Sequence, residues 1–494
     1  MLTIESSSKI EEKQVEMLVI PVCEDADIHS ASLMPELMHR AASLKEFNGA
    51  DNQDVVFFAP SGIRSDQVMI IGLGKKDKID GEVFRKACGR AIKKCIQKEV
   101  LEAIFVVPFS GAFDAEPGAI LEAMMEGACL GNYQFDQFKK PKHPSLLKIG
   151  FAVAEDLVPQ ASLLANKVGI ICEGTLLARE WVTTPSNLKR PEQFARSLVQ
   201  MAEKEHLKTE VLDHSALKKK KFGALLAVAA GSNANARMVV LEHDPGNTHQ
   251  TLALVGKGVT FDSGGINLKP QGSLEDMKMD MAGAAAVAAT MITAARLNLP
   301  VHLIGVLPLV ENMPSGSATR PGDIVKSFSG KTIEINNTDA EGRLILADAL
   351  SYVIQTYKPD AVVDLATLTG ACVVALGENI AGVFSADDRM SETIIASGRK
   401  TFERCWKMPL PEDYKDLLKS EYADICNITG SKWGGAITAA LFLSEFTENT
   451  RWMHIDIAGP AYVKKETAYC GVGGTGFGVR LLCDWIEKTA GSSF

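Results

Sequence analysis

Seven side chains of this sequence have the types and spacing for metal or acid–base chemistry. In EINNTDAEGR, residues 334–343, Asp339, Glu341 and Arg343 occupy alternate positions. Upstream, TLALVGKGVTFDSGGINLKP carries Lys257, Asp262 and Lys269, and EDMKMDMAGAAAV carries Asp280. Four carboxylates brought together would raise one another's pKa values sharply. Two divalent cations would cancel all four charges, and Lys257 could join them as a neutral amine, its proton displaced. His302 is the one histidine between residues 250 and 350, and HExxH is absent. A metal site here is therefore carboxylate-rich, which suits Mn²⁺, Mg²⁺ or Zn²⁺ better than a soft-ligand metal.

Each segment also has a plainer reading. Thr338 and Glu341 match a capping box, with the acids suiting a helix dipole. Arg343 would then sit at the unfavourable end of that dipole, and Gly342 inside a helix would cost about 1 kcal/mol relative to Ala. In an extended backbone Asp339, Glu341 and Arg343 would share one side. The segment alone does not decide between these. Asp280 reads equally as an N-cap for the Ala-rich run after it. Met277, Met279 and Met281 suit a core or the wall of an apolar pocket. Lys257 interrupts an apolar run, so its ammonium must find a partner or lose its proton. The GxG at 256–258 lacks the third glycine of a dinucleotide fingerprint, since position 261 is Phe, and GLGKKDK at 72–78 lacks phosphate-loop spacing.

The elements that must position these residues alternate along the chain. EMLVIPV, DVVFFAP, QVMIIGLG and EAIFVVPF read as buried strands and GEVFRKACGRAIKKCIQ as a helix. FDQFKKPKHPSLLKIG marks a boundary, and a long helical pattern follows it. From about residue 190, FGALLAVAAGS, RMVVLEHD, TLALVGKGVTFD, VHLIGVLPLVEN, KTIEINN, AVVDLATLTGA and RWMHIDIAG read as strands with helices between most of them. The expectation is an α/β protein of two domains, each a mainly parallel or mixed sheet covered by helices. An N-terminal domain takes residues 1–150, a helical linker 151–189 and the catalytic domain 190–494. Ligands of such sheets bind beyond the carboxyl ends of the strands, where the charged residues fall.

Composition limits the function classes. The 494-residue chain carries a net charge of -9, which disfavours a nucleic-acid or anionic-membrane role, and KKKK at 218–221 reads as a solvated loop. No secretory signal pattern and no run of 18 apolar residues appears. Ten scattered cysteines without a CxxC pair read as reduced, mostly buried thiols. Together these suggest a cytoplasmic enzyme without a membrane anchor.

NTDAEGRL with VGKGVTFDSGG resembles the leucyl aminopeptidases, the cytosolic two-metal metalloexopeptidases. The likeness extends through MKMDMAGAAAV, ATLTGA, GGAITAALFL, HIDIAGPA and TGFGVRLL, over roughly residues 170–494. It implies that Lys257, Asp262, Asp280, Asp339 and Glu341 are metal ligands, with Asp262 and Glu341 bridging two ions, Mn²⁺ or Zn²⁺. It implies catalytic roles for Lys269, which would polarise the scissile carbonyl, and Arg343, which would hold a bicarbonate that shuttles the proton. It further implies attack by a hydroxide between the metals on the N-terminal peptide bond, and a homohexamer whose contacts involve the N-terminal domain. A pocket including Met277, Asn337, Thr367 and Gly370 would favour leucine-like side chains. PAY after DIAG, and GVGGTGFG, depart from the usual family pattern and leave side-chain preference the least constrained inference. Another two-metal hydrolase such as a phosphoesterase, a DNA-binding regulatory role, and a nucleotide-binding oxidoreductase are the alternatives.

Overall fold

The computed structural model describes the chain except residues 110, 115, 116, 247, 249 and 491–494. Two compact units emerge: Met1–Glu173 with Lys464–Val472, and Gly174–Val463 with Gly473–Phe494.

The first unit is built on six strands: β1 (Leu2–Ser6), β2 (Met17–Val22), β3 (Asp54–Phe58), β4 (Gln67–Gly72), β5 (Glu102–Val106) and β6 (Lys148–Val153). They lie in the order β1-β6-β5-β2-β4-β3, parallel throughout except between β3 and β4. The helix Gly81–Gln97 falls where the sequence pattern puts it. β1 and β6 have no counterpart in the sequence reading. β6 pairs with both β1 and β5, so residue 150, the expected domain boundary, lies inside a strand. The expected linker is likewise no separate element. The helix Val158–Thr183 begins in the first unit and ends in the second, where Ala178, Trp181 and Val182 join the core. The segment Glu155–Thr183 is long and apolar enough by length and composition to cross a membrane, although 44% of its apolar window is buried inside the protein. The segment Lys464–Val472 belongs to the first unit. There the Tyr469 hydroxyl donates to Glu82 at 3.1 Å and Lys93 pairs with Glu466 at 2.5 Å, a link that linear reading cannot see.

The second unit carries β7 (Lys208–Leu212), β8 (Arg237–His243), β9 (Thr251–Gly256), β10 (Gly258–Asp262), β11 (His302–Asn312), β12 (Asp323–Lys326), β13 (Thr332–Ile335), β14 (Ala361–Ala366), β15 (Ala381–Phe384), β16 (Cys405–Lys407), β17 (Ile425–Cys426) and β18 (Arg451–Asp456). Its large sheet runs β16-β15-β18-β14-β9-β11-β8-β7, with β10 beside β11, and a small sheet joins β12, β13 and β17. The central strands β18, β14, β9, β11 and β10 are mutually parallel. Their carboxyl ends therefore share one edge. Both faces are buried, as a near-continuous apolar strand requires. Along β9, Leu252 and Leu254 enter the core beneath the helix Ala282–Arg296, while Ala253 and Val255 enter the core beneath the helix Glu341–Tyr357.

The expected strand FGALLAVAAGS is instead the helix Gly223–Ala229. Periodicity cannot separate a short buried strand from a short buried helix, and Ala and Leu favour the helix. The lysines 218–221 are exposed as expected, but two of them close the helix His214–Lys219 rather than lying in a loop. All ten cysteines are free, eight of them buried.

The Ala-rich helix comes close to the sheet through glycines. A Cβ on Gly283 would lie 2.1 Å from the Leu365 carbonyl oxygen and 2.9 Å from the Lys257 amide nitrogen. Backbone cannot yield to such a clash cheaply. Gly283→Ala is expected to destabilise the protein by about 2 kcal/mol or more, read as a lowered urea midpoint at unchanged slope.

Candidate metal centre

The shared strand edge collects the charged residues. Lys257 follows β9, Asp262 ends β10, Asp280 follows a 3₁₀ turn at Met277–Met279, and Glu341 opens the helix Glu341–Tyr357. Carboxylate oxygens of Asp262, Asp280 and Glu341 lie within 4.8 Å of one another, all three residues buried. Asp339 stands beside them, its side chain 31% exposed.

Two ammonium groups hold the cluster together. Lys257 Nζ lies 2.8 Å from Asp280 Oδ1, 2.8 Å from Glu341 Oε1 and 2.8 Å from the Thr367 carbonyl oxygen. Burial alone would push its proton off, but Asp280, Glu341 and Asp262 outweigh burial and raise its pKa. To ligate a metal, Lys257 must give up that proton. Lys269 Nζ lies 2.8 Å from Asp262 Oδ2 and 2.5 Å from Asp339 Oδ1, and burial is again outweighed, chiefly by Asp262 and Glu341. Glu341 is held below the ordinary range because Lys257 and Lys269 overcome its burial. Asp262 is pushed up to about 6, by burial first and then by Glu341. Burial also drives Asp280 well above the ordinary range, and raises Asp339.

The donor set fits hard divalent cations. Four carboxylates face two lysines, so full ionisation would leave two negative charges unbalanced, and Asp280 Oδ2 is buried with no hydrogen-bond partner. An uncompensated buried charge and an orphaned buried oxygen are both costly, and cations would relieve both.

The hinge 334–343 is neither the capping box nor the extended run considered from sequence. The helix starts at Glu341, its N-cap is Ala340, and no side chain caps it. The Thr338 hydroxyl instead donates to the Gly264 carbonyl at 2.6 Å. Within the first helical turn Glu341 and Arg343 diverge. Glu341 reaches the cluster, whereas Arg343 Nη1 donates to the Asn427 carbonyl at 2.7 Å. Arg343 Nε is buried without a partner, and burial lowers the guanidinium pKa to about 10 against the pull of Glu341 and Asp456. Gly342 has a reason beyond helix propensity: its Cβ would lie 2.6 Å from Lys257 Cε, whose head is already pinned. Asp280 is not an N-cap either, because the helix after it is capped by Met281.

Of the four pocket candidates, Thr367 donates its hydroxyl to Asp280 Oδ1 at 2.8 Å, and so faces the carboxylates. Asn337 Oδ1 accepts from the Asp339 amide at 2.8 Å. Met277 opens the 3₁₀ turn before Asp280, partly exposed, and Gly370 is exposed at the start of the helix Gly370–Leu376. Sequence reading missed two buried asparagines. Asn312 Nδ2 donates to Asp262 Oδ1 and to the Thr338 carbonyl, both at 2.9 Å, and its place at the end of β11 was the available signal. Asn427 accepts from the Asn336 amide at 2.9 Å and donates to the Asn337 carbonyl at 2.7 Å. Nothing local in the sequence marks it. The left-handed pair Gly264 and Gly265 closes the site on another side. A Cβ on Gly265 would lie 2.8 Å from Asn312 Oδ1, and the Gly264 amide donates to Asp262 Oδ1 at 2.9 Å.

Comparisons with known proteins give consistent matches. The family model described as "Cytosol aminopeptidase family, catalytic domain" matches residues 176–483, and that of the same family's N-terminal domain matches residues 24–142. A "Probable cytosol aminopeptidase" of Syntrophotalea carbinolica is 43% identical over 470 residues, covering 94% of this chain and 93% of the relative. One from Aquifex aeolicus is 40% identical, covering 91% and 90%. Among solved structures, "Bottromycin maturation enzyme BotP in complex with Mn" superposes with a TM-score of 0.86 at 34% identity, covering 96% of this chain and 100% of that one.

Asp262 supplies a pH test. A metal ion competes with the proton that the folded chain holds on this carboxyl below about 6. Because Lys257 and Asp280 must also shed protons, Mn²⁺ uptake by chelator-stripped protein is expected to weaken throughout as pH falls, and to steepen by a further factor of roughly ten per unit below that value, measured by calorimetry. The matching stability term has the opposite sense. A raised carboxyl pKa favours the metal-free fold at low pH, and that advantage is lost as pH rises from the unfolded value of about 4 toward 6.

Proposed function

Because the chain belongs to the cytosol aminopeptidase family, we propose that it is a two-metal leucyl aminopeptidase, cleaving the N-terminal residue from peptides with a preference for leucine and other apolar side chains. The observation that carries this reading is the buried meeting of Asp262, Asp280 and Glu341, with Asp339 and Lys257 beside them. Those five residues would hold the ions, Mn²⁺ or Zn²⁺. When bound, such a pair supplies Lewis acidity and a water acidic enough to attack at neutral pH.

The chain's own residues do the rest. Lys269, with its ammonium between Asp262 and Asp339, is aimed to donate to the oxygen of the scissile carbonyl as charge develops there. Arg343 is the residue to hold a bicarbonate, since its buried Nε lacks a partner. Asn312 and Asn427 keep the ligand-bearing loop from shifting. Met277 and Asn337 are the proposed pocket wall for the substrate side chain, with Thr367 and Gly370 beside it. A free α-amine on the substrate, taken up at the metal site, makes the enzyme an exopeptidase. The names of its relatives support a cytoplasmic location, and the family resemblance supports a homohexamer, which sedimentation of the intact protein would test.

Hydrolysis of a leucine arylamide is expected to require Mn²⁺ or Zn²⁺, to stop after exhaustive chelation, and to fail on the N-acetylated substrate. Cleavage of the blocked substrate or of a simple phosphate ester at a comparable rate would overturn the proposal. The roles separate by variant. Asp339→Ala is expected to lose bound metal together with activity. Arg343→Ala is expected to keep its metal and lose at least about tenfold in kcat. Metal analysis and steady-state kinetics on the same preparations decide, and an Arg343→Ala protein emptied of metal would contradict the assignment.

A further inference from the structure

Two elements leave the metal centre carrying apolar side chains that the proposed chemistry does not use. The first begins at Thr367, which donates to Asp280, and continues as the helix Gly370–Leu376. Thr369 pins the start of this helix. Its hydroxyl accepts from the Cys372 amide at 3.0 Å and donates to Asp456 Oδ2 at 2.7 Å. Gly370 and Val374 are four positions apart and share one helix face. Val374 therefore continues the proposed pocket at Gly370 by one turn, about 5.4 Å, and it stands 89% exposed.

The second element begins at Asn427, whose side chain donates to the Asn337 carbonyl and whose own carbonyl accepts from Arg343. Its loop runs on to Trp433, which is 73% exposed. The loop is held by its own polar groups. The Ser431 amide donates to Thr429 Oγ1 at 3.3 Å, the Thr429 hydroxyl donates to the Ser431 carbonyl at 3.0 Å, and the Trp433 amide donates to Ser431 Oγ at 3.1 Å. Lys432 Nζ stands 4.6 Å from the centre of the Trp433 ring, a cation–π contact that steadies the exposed side chain. Gly434, at a φ of 66°, turns the chain from Trp433 into the helix Gly435–Ser444. That helix touches the first element, because a Cβ on Gly435 would lie 3.3 Å from Ala371 Cβ. Single exposed apolar residues are ordinary, but two large ones on adjoining elements, each traced back to the metal centre, mark a surface for binding.

We propose that Val374 and Trp433 form an extended subsite for the part of the peptide that follows the scissile bond, favouring substrates with apolar second and third residues. The inference rests on the aminopeptidase reading above. An exopeptidase encloses the N-terminal residue and must leave the rest of the chain an open path. An extended peptide advances about 3.3 Å per residue, so the turn from Gly370 to Val374 spans about two residues. Tryptophan suits such a wall, since its large flat face gives contact area at small conformational cost. The peptide, rather than a second copy of this chain, is the occupant because the face runs on from the proposed pocket at Gly370.

The test uses the intact protein with Mn²⁺ and two tripeptides, leucyl-glycyl-glycine and leucyl-phenylalanyl-phenylalanine, and reads released leucine. The native chain is expected to cleave the phenylalanine peptide with a kcat/KM at least about tenfold higher, the size of a modest apolar discrimination. Trp433→Ser and Val374→Ser, both at exposed positions where substitution disturbs the fold little, are each expected to lose roughly fivefold or more on that peptide, mainly through KM. Both should stay within about twofold of the native chain on leucyl-glycyl-glycine. Equal efficiency of the native chain on the two peptides would overturn the proposal. So would a loss shared equally by both peptides, or no loss in either variant. A lower sedimentation coefficient for Trp433→Ser would give this face to a second copy and overturn it too. No leucine released from either peptide by the native chain would instead sink the aminopeptidase reading, and the proposal with it.

Discussion

The second unit is organised around an electrostatic difficulty. Three carboxylates are buried within reach of one another at the edge of a parallel sheet, with a fourth at the rim. Such a cluster cannot persist in an apolar interior without counter-charge. Lys257 and Lys269 provide part of it, and their three-way and two-way pairings account for much of the local architecture. Gly342 leaves room for the Lys257 side chain, the Thr367 carbonyl accepts a hydrogen bond from its ammonium, and the Asn312 amide holds Asp262 from the far side. The remaining imbalance is the property that divalent ions would satisfy.

The sheet makes this concentration of charge possible. Parallel strands β9, β10, β14 and β18 release their chains at one edge, so residues separated by many positions in sequence arrive together. Apolar burial on both faces keeps those ends rigid, and the close glycine contact between Gly283 and Leu365 lets the helix after Asp280 lie directly on the strands. Precision at the site comes from elements with no chemistry of their own. Asn427 follows the two-residue strand β17 of the small sheet, yet it fixes the backbone that carries Asp339 and Glu341.

The N-terminal unit follows the same topological rule without the charge cluster. Its parallel strands open onto a cavity whose wall mixes aliphatic side chains and serine hydroxyls.

Much of the candidate site was legible in the sequence because strand-ending charges are unusual. Lys257 in an apolar run, Asp262 before a glycine pair, and the acids of NTDAEGRL stand out because burying them needs a shared reason, and hard-metal chemistry followed from that donor set. The α/β class and most central strands followed from hydrophobic alternation, which depends only on near neighbours. What the sequence left open depends on distant partners. Whether Thr338 caps a helix or holds Gly264, whether FGALLAVAAGS is strand or helix, and where Lys464–Val472 packs are decided by contacts between residues far apart in the chain. The divergence of Glu341 toward Lys257 and Arg343 toward Asn427 is of the same kind. Local pattern fixed which residues could do chemistry. Only the folded backbone, by satisfying each buried polar atom with a particular remote partner, decided which way each of them points.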